Sequence, residues 1–276
     1  MRERFIKLRG RKFELGKKTL IMGILNVTPD SFSDGGFFYS YDAAVNHAVK
    51  LIEDGADIID IGAESTRPNF TPISADEEIS RLEKIIPEIK KIFAVPISID
   101  TYKPEVAAVA LELGAEIIND ISGLASDEMI YVAKKFNAPV IAMHNRRDKN
   151  FPDIIDDIKN FFRQTFQRCK NFELDAAQII FDVGIGFGKT QEENLTVLRN
   201  LHELKFIDGI EIPLLLGVSR KSVISYATGF AVDDRDEATG AVCVLAISQG
   251  IDIVRVHNVK MIAKMCKMAD VIKRVE

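Results

Sequence analysis

Residues 96–120 read PISIDTYKPEVAAVALELGAEIIND, and this stretch sets the architecture. A short β-branched run, PISI, stops at Asp100. A segment of helical period, PEVAAVALELG (104–114), follows, and a second apolar run, EII, stops at Asn119. Apolar runs of this length without polar alternation suit strands buried on both faces, as in a parallel sheet. The same unit recurs in both directions along the chain. TLIMGIL ends at Asn26, DIIDIGA at Glu64, PVIAM at His144 and QIIF at Asp182. IPLLLGV runs into Ser219, Arg220 and Lys221, and DIV meets Arg255, with His257 two places on.

Helical segments fill the intervals: 43–55, 74–92, 104–114, 127–136, 153–172, 192–204, 236–250 and 260–275. Ser74 and Glu77 have the spacing of a capping box at the start of the second. Alternating strand and helix predicts parallel strands joined by right-handed crossovers, and eight such units favour a closed (β/α)8 TIM barrel over an open sheet. FIKLRGRKFEL (5–15) reads as a short N-terminal hairpin turned at Gly10 that plugs the barrel bottom. The longest irregular stretches, 26–41 and 64–74, each follow a strand and precede a helix, where long loops are usually functional.

The chain has 276 residues, close to the ~250 that such a barrel needs as one domain. A net charge of -5 gives no invitation to nucleic acid or an anionic membrane. Cys169, Cys243 and Cys266 show neither zinc spacing nor a disulfide framework. With no secretory h-region and no apolar run long enough to span a bilayer, the expected location is the cytoplasm.

Active sites of TIM barrels lie at the C-terminal ends of the strands, where these polar residues stand. A lone Asp there is usually a helix cap. Asp100 and Asp182 together with Asn119 instead point to a ligand bearing several N–H donors, such as a pterin or a purine. Lys221, Arg255 and His257 sit at the last two strand ends, where barrels often bind phosphate, and argue for phosphate or pyrophosphate. The SRKS segment adds a helix start with backbone N–H groups.

Other readings are weaker. DVGIGFGKT (182–190) fails both the P-loop and the dinucleotide spacings. For His144, a packed, hydrogen-bonded histidine and a direct role are equally open. Glu64 and Asp60 can pair with basic groups in the barrel mouth without being catalytic. Met261, Met265 and Met268 form a stripe that suits core or subunit contact. No nucleophile triad or zinc motif is present, so any metal would be Mg²⁺ bridging phosphate oxygens through few protein ligands.

Seven segments resemble the dihydropteroate synthases, in order and over nearly the whole chain. They are ILNVTPDSFSDGG (24–36), GADIIDIGAESTRP (55–68), SIDTYKPEVA (98–107), EIINDISG (116–123), DVGIGFGKT (182–190), LLGVSRKS (215–222) and IVRVHNV (253–259). The resemblance implies one pterin-binding domain over 1–276 that condenses dihydropterin pyrophosphate with p-aminobenzoate, using Mg²⁺, in folate synthesis. By the same resemblance, Asp100, Asn119, Asp182 and Lys221 read the pterin, while Met143, Phe187 and Gly217 line its slot. Asn26, Arg255 and His257 match the pyrophosphate and Mg²⁺ positions, with Asn26 as the metal ligand. Thr66, Arg67, Pro68 and Ser222 match the p-aminobenzoate side. Asp34 joins Asp100, Lys221 and Arg255 at the reacting centre, and Phe32 and Asp34 lie in the first mobile loop.

The resemblance also implies a sulfonamide target and a homodimer packed through the late helices. Val183, Asn69 and Asn145-Arg146-Arg147 depart from the family's usual residues. A pterin-binding methyltransferase and a non-catalytic pterin binder are the alternatives. The first has no use for the SRKS and RVH oxyanion cluster, and intact Lys221, Arg255 and Asp34 argue against the second.

Overall fold

Twelve strands and nine α-helices form among the residues that this computed structural model describes, which are 4–8, 11–27, 36–64, 72–148 and 150–274. β1 (Arg4–Leu8) and β2 (Arg11–Leu15) pair antiparallel as the expected hairpin. Its turn at Gly10 lies outside the described residues. The eight apolar runs become β3 (Leu20–Asn26), β4 (Ile58–Gly62), β5 (Ile97–Asp100), β6 (Ile117–Asp120), β7 (Val140–Met143), β8 (Ile179–Asp182), β11 (Leu214–Leu216) and β12 (Ile253–Val256). All pair in parallel with their neighbours, and β12 returns to β3 to close the barrel. A small antiparallel pair, β9 (Phe206–Ile207) and β10 (Ile210–Glu211), stands apart from it.

The helices are α1 (Gly36–Glu53), α2 (Ala75–Ile92), α3 (Pro104–Leu113), α4 (Asp127–Phe136), α5 (Ile154–Asn171), α6 (Gln191–Arg199), α7 (Ser222–Thr228), α8 (Asp236–Ser248) and α9 (Val259–Arg274). α1 begins well before the apolar stripe at 43, and its first turns carry Gly, Ser and aromatic residues of modest helix propensity that conceal the start in the sequence. The expected helix over 192–204 breaks at Asn200 into α6 and a 3-10 turn, Leu201–Leu204. Ser74 accepts from the Glu77 backbone at 3.2 Å, but the Glu77 side chain pairs with Arg81 instead of closing the capping box. A complete box occurs at Thr190 and Glu193, opening α6.

Side chains alternate across a strand, so residues two apart share a face. The first inward set is apolar: Met22, Ile58, Ile117, Ile141, Ile180, Leu215 and Ile253 form one buried cluster with Ile6, Leu8 and Leu15 of the hairpin. The hairpin therefore closes the bottom, tied there by Arg4 to Asp252 at 3.2 Å and Lys7 to Asp175 at 2.8 Å. The outward set, including Ile59, Ile99, Ile118 and Phe181, packs against the helices. Each such side chain contributes about 1.5–3 kcal/mol of burial.

Candidate active site

Two residues beyond the apolar floor, the inward positions become Asp60, Asn119, Met143, Asp182, Gly217 and Arg255, and Ser98 of β5 is followed by Asp100. The strand period thus carries the polar strand ends into one cup at the top of the barrel. Arg255 donates through Nε to Asp60 Oδ2 at 2.5 Å and through a terminal nitrogen to Asp100 Oδ2 at 2.6 Å. Asn119 Nδ2 donates to the same Asp60 oxygen at 3.0 Å. Asp182 Oδ1 accepts from the Gly184 backbone at 2.8 Å.

Gly217 leaves a gap in this ring. A Cβ there would stand 3.7 Å from Asp182 Oδ2, 3.9 Å from Lys221 Nζ and 4.0 Å from Arg255 Cβ. These are van der Waals distances on three sides, so the bare backbone keeps a flat slot open between a carboxylate and two cations. Gly62 does the same across the cup, where a Cβ would stand 3.5 Å from Asn26 Oδ1 and 3.8 Å from Asp100 Oδ2. Asn26 therefore caps β3 beside Asp100.

Lys221 reaches the slot from the start of α7. Its Nζ lies 4.7 Å from the Phe187 ring centre and donates to the Ile185 carbonyl at 2.5 Å. Its neighbour Arg220 takes a left-handed backbone conformation (φ 57) and turns away, held by two hydrogen bonds to Asp236 at 2.6 and 2.7 Å. The cationic pair in SRKS is thus split between the cup and the scaffold. Ser219 Oγ and His257 Nδ1 lie 2.9 Å apart, joining the two strand ends. Ser222 is exposed and accepts from Gln191 at 3.2 Å. Asp34, Phe32, Thr66, Arg67, Pro68 and Asn69 lie outside the described residues.

Dense surroundings perturb four of the charges here. Burial pushes the Asp100 carboxyl up to about 7 against the pull of Arg255. Burial also raises Asp182, which Lys221 opposes. Lys221 falls to about 8 through burial, with Asp182 restraining it. Burial works against the Arg255 charge too, but Asp60 and Asp100 outweigh it and hold the guanidinium above its usual range.

Two residues correct or extend the sequence reading. His144 follows inward-facing Met143 by one place, so it points outward: it is 1% exposed, packs edge-on against Phe161 at 5.3 Å and stands 3.5 Å from Asp157. His144 is packed, as one of the two readings had it, but its Nδ1 has no hydrogen-bond partner among the described residues. Burial, with Lys189 and Arg147 nearby, drives its pKa down to about 3, so it is neutral throughout the working range. His144→Gln should therefore leave the pH dependence of kcat unchanged between pH 5 and 8, as measured by steady-state turnover. Lys189, which the failed P-loop reading passed over, donates to the carbonyls of His144, Gly184 and Phe187 at 3.0, 2.9 and 3.2 Å. It pins the loop that presents Phe187 and Ile185 to Lys221. Glu64 accepts from Ile73 N at 2.7 Å and from Lys103 at 3.0 Å, so it is an anchor beside the cup.

A parallel barrel whose upper interior offers fixed acceptors, a flat slot and two cations defines an enzyme that binds a planar, amino-substituted heterocycle carrying an anion. Residues 22–257 match the model of the pterin binding enzyme family. The chain is 46% identical over 271 residues to the dihydropteroate synthase of Clostridium beijerinckii, covering 98% of this chain and all of the relative. The crystal structure of the Clostridium difficile dihydropteroate synthase obtained with pteroic acid superimposes with a TM-score of 0.91 at 46% identity, over 95% of this chain and 100% of that one. The Xanthomonas albilineans dihydropteroate synthase with 4-aminobenzoic acid gives 0.92 at 33% identity, over 99% and 100%. The chain belongs to the pterin-binding enzymes and, within them, to the dihydropteroate synthases.

Proposed function

We propose that the chain transfers the pterin methylene group from 6-hydroxymethyl-7,8-dihydropterin diphosphate to the amine of 4-aminobenzoate, giving 7,8-dihydropteroate and diphosphate. The observation that carries this reading is the facing of Asp100, Asn119 and Asp182 by Arg255 and Lys221 across the slot at Gly217. Pteroic acid and 4-aminobenzoic acid in the relatives' crystals support it.

The acceptors Asp100 and Asp182, with the Asn119 amide, receive the N–H groups of the pterin, and Met143, Phe187 and Gly217 shape the slot. Lys221 meets the ring's carbonyl side. The C–O bond between methylene carbon and diphosphate breaks with its electron pair leaving on the diphosphate. Arg255 and His257 offset that charge, and the pterin ring delocalises the cation left behind. The amine nitrogen of 4-aminobenzoate then forms the C–N bond and releases a proton. No protein nucleophile is required; the chain contributes placement and electrostatics. By the family resemblance we assign Asp34 to the reacting centre, and Thr66, Arg67, Pro68 and Ser222 to the benzoate.

Among the described residues no cluster of three His, Cys, Asp or Glu side chains exists that could hold a metal ion alone. Asn26, an amide oxygen beside the place proposed for the diphosphate, would hold Mg²⁺ together with that substrate, and the ion would neutralise leaving-group charge. The three cysteines are free and buried, which suits a cytoplasmic enzyme; among the described residues no helix is long and apolar enough to cross a membrane. The test is direct: incubate the protein with dihydropterin diphosphate, labelled 4-aminobenzoate and Mg²⁺, and look for labelled dihydropteroate. Pterin binding without product would overturn the reading in favour of a non-catalytic binder.

Leu245 of α8 and Met268, Val271 and Ile272 of α9 are 64%, 60%, 53% and 75% exposed, an apolar surface on the two late helices. We assign it to a homodimer. Leu245→Asp combined with Ile272→Asp should convert a dimer to a monomer in light scattering, and an unchanged mass would refute the assignment.

A further inference from the structure

Asp60 is fully buried, at 0% exposure, beneath the cup. It pairs in register with Ser98, two residues before Asp100, and none of its surface opens into the cup. Its Oδ1 has no hydrogen-bond partner among the described residues. Its Oδ2 accepts from both Arg255 Nε, at 2.5 Å, and Asn119 Nδ2, at 3.0 Å. A buried carboxylate with one idle oxygen is expensive as a purely structural element, and an apolar residue of similar volume would ordinarily serve better there. Its use must come from what its occupied oxygen fixes.

The two ends of an asparagine amide have nearly the same shape, so packing alone does not choose between them. An ionised carboxylate accepts and never donates. Asp60 therefore compels Asn119 to spend its NH2 group downward, leaving the carbonyl oxygen as the acceptor available to the cup. The same carboxylate oxygen fixes the Nε edge of Arg255 while Asp100 holds a terminal nitrogen, which orients the guanidinium plane.

We propose that Asp60 is a positioning residue that sets the Asn119 amide and the Arg255 guanidinium together, linking pterin recognition to diphosphate handling through one oxygen atom. This rests on the reading of the site as a dihydropteroate synthase centre. Asp60 touches neither substrate. An asparagine at position 60 keeps the volume but offers a neutral acceptor and a competing donor, so the Asn119 amide is free to turn its NH2 group toward the ligand.

The experiment is titration calorimetry with a pterin lacking the diphosphate, alongside steady-state kinetics, on wild type, Asp60→Asn, Asn119→Ala, Arg255→Ala and their doubles. Asp60→Asn should weaken pterin binding and lower kcat/KM for the pterin diphosphate by about 10–100-fold, the usual effect of removing a partner that orients a ligand-binding group. KM for 4-aminobenzoate should stay within about twofold of wild type. The loss should shrink to a few-fold when Asn119→Ala or Arg255→Ala is already present, because the groups acted upon are gone. Full additivity, or an unchanged pterin affinity in Asp60→Asn, would overturn the proposal and leave Asp60 as a core carboxylate. If Asp60→Asn does not fold, the cycle between Asn119→Ala and Arg255→Ala decides the matter: losses that multiply independently overturn the coupling, and losses that overlap by tenfold or more support it. Wild-type protein that binds the pterin but makes no dihydropteroate overturns the functional reading alone, since the binding cycle still judges Asp60.

Discussion

Arg255→Ala should lower kcat/KM for dihydropterin diphosphate by roughly 10²- to 10³-fold, the scale of about 2–5 kcal/mol seen when one partner of a buried, hydrogen-bonded charge pair is removed. Two losses combine. The diphosphate loses a guanidinium, and Asp60 and Asp100 lose the cation that holds them at 2.5 and 2.6 Å. The first is specific to the anion, so a pterin without diphosphate should lose less affinity than the substrate, by at least tenfold in ratio. Equal losses for the two ligands would show that Arg255 serves only to hold the carboxylates.

The second loss has a pH signature. Burial pushes the Asp100 carboxyl from its ordinary acidic range up to about 7 in the folded state, with Arg255 opposing the rise. A carboxyl raised on folding stabilises the native state below its unfolded value, and that contribution is lost as pH rises toward the folded value. Without Arg255 the folded value rises further, so the native state is penalised for ionising Asp100 over a longer span of pH. The melting temperature of Arg255→Ala should fall below wild type more at pH 8 than at pH 5.5. A difference that is the same at both values would mean that Arg255 does not restrain Asp100.

The strand-end pattern made the barrel and much of the cup legible because strand period is a strict geometric rule. Each of Asn119, Asp182 and Arg255 follows an apolar interior residue by two places, at Ile117, Ile180 and Ile253, which fixes its direction inward. The same rule, applied to His144 one place after Met143, would have settled its outward direction from sequence. What periodicity does not give is pairing across the barrel. Asp60 meets Arg255 across 195 residues of chain, and only closure of the sheet brings β12 beside β3, one strand from β4. Lys189 escaped for a different reason. A lysine spent on three backbone carbonyls leaves no composition or spacing signal, because its partners are the main chain itself.

Asp182→Asn should weaken binding of the pterin and of its diphosphate alike, by about 10²-fold or more, the scale at which a site loses a ligand when buried polar groups are mismatched. What decides the loss is which carboxylate oxygen is already committed. Asp182 Oδ1 accepts from the Gly184 backbone N–H at 2.8 Å, and Gly184 (φ 68) is held against the His144 carbonyl so tightly that a Cβ there would lie 1.9 Å from it. That backbone donor does not move, so an asparagine must give its Oδ1 to Gly184 and turn its NH2 group toward the slot at Gly217. Donor then faces donor where the ring N–H groups arrive. Substitution also removes the negative charge that opposes the burial-driven fall of Lys221, whose value is already down to about 8. Lys221 should therefore titrate lower in the variant, and residual pterin binding should decline at a lower pH than in wild type. Calorimetry with both ligands across pH 6–9 separates this from Arg255→Ala: equal fractional losses for pterin and pterin diphosphate are expected. A loss confined to the diphosphate would show that Asp182 does not contact the ring.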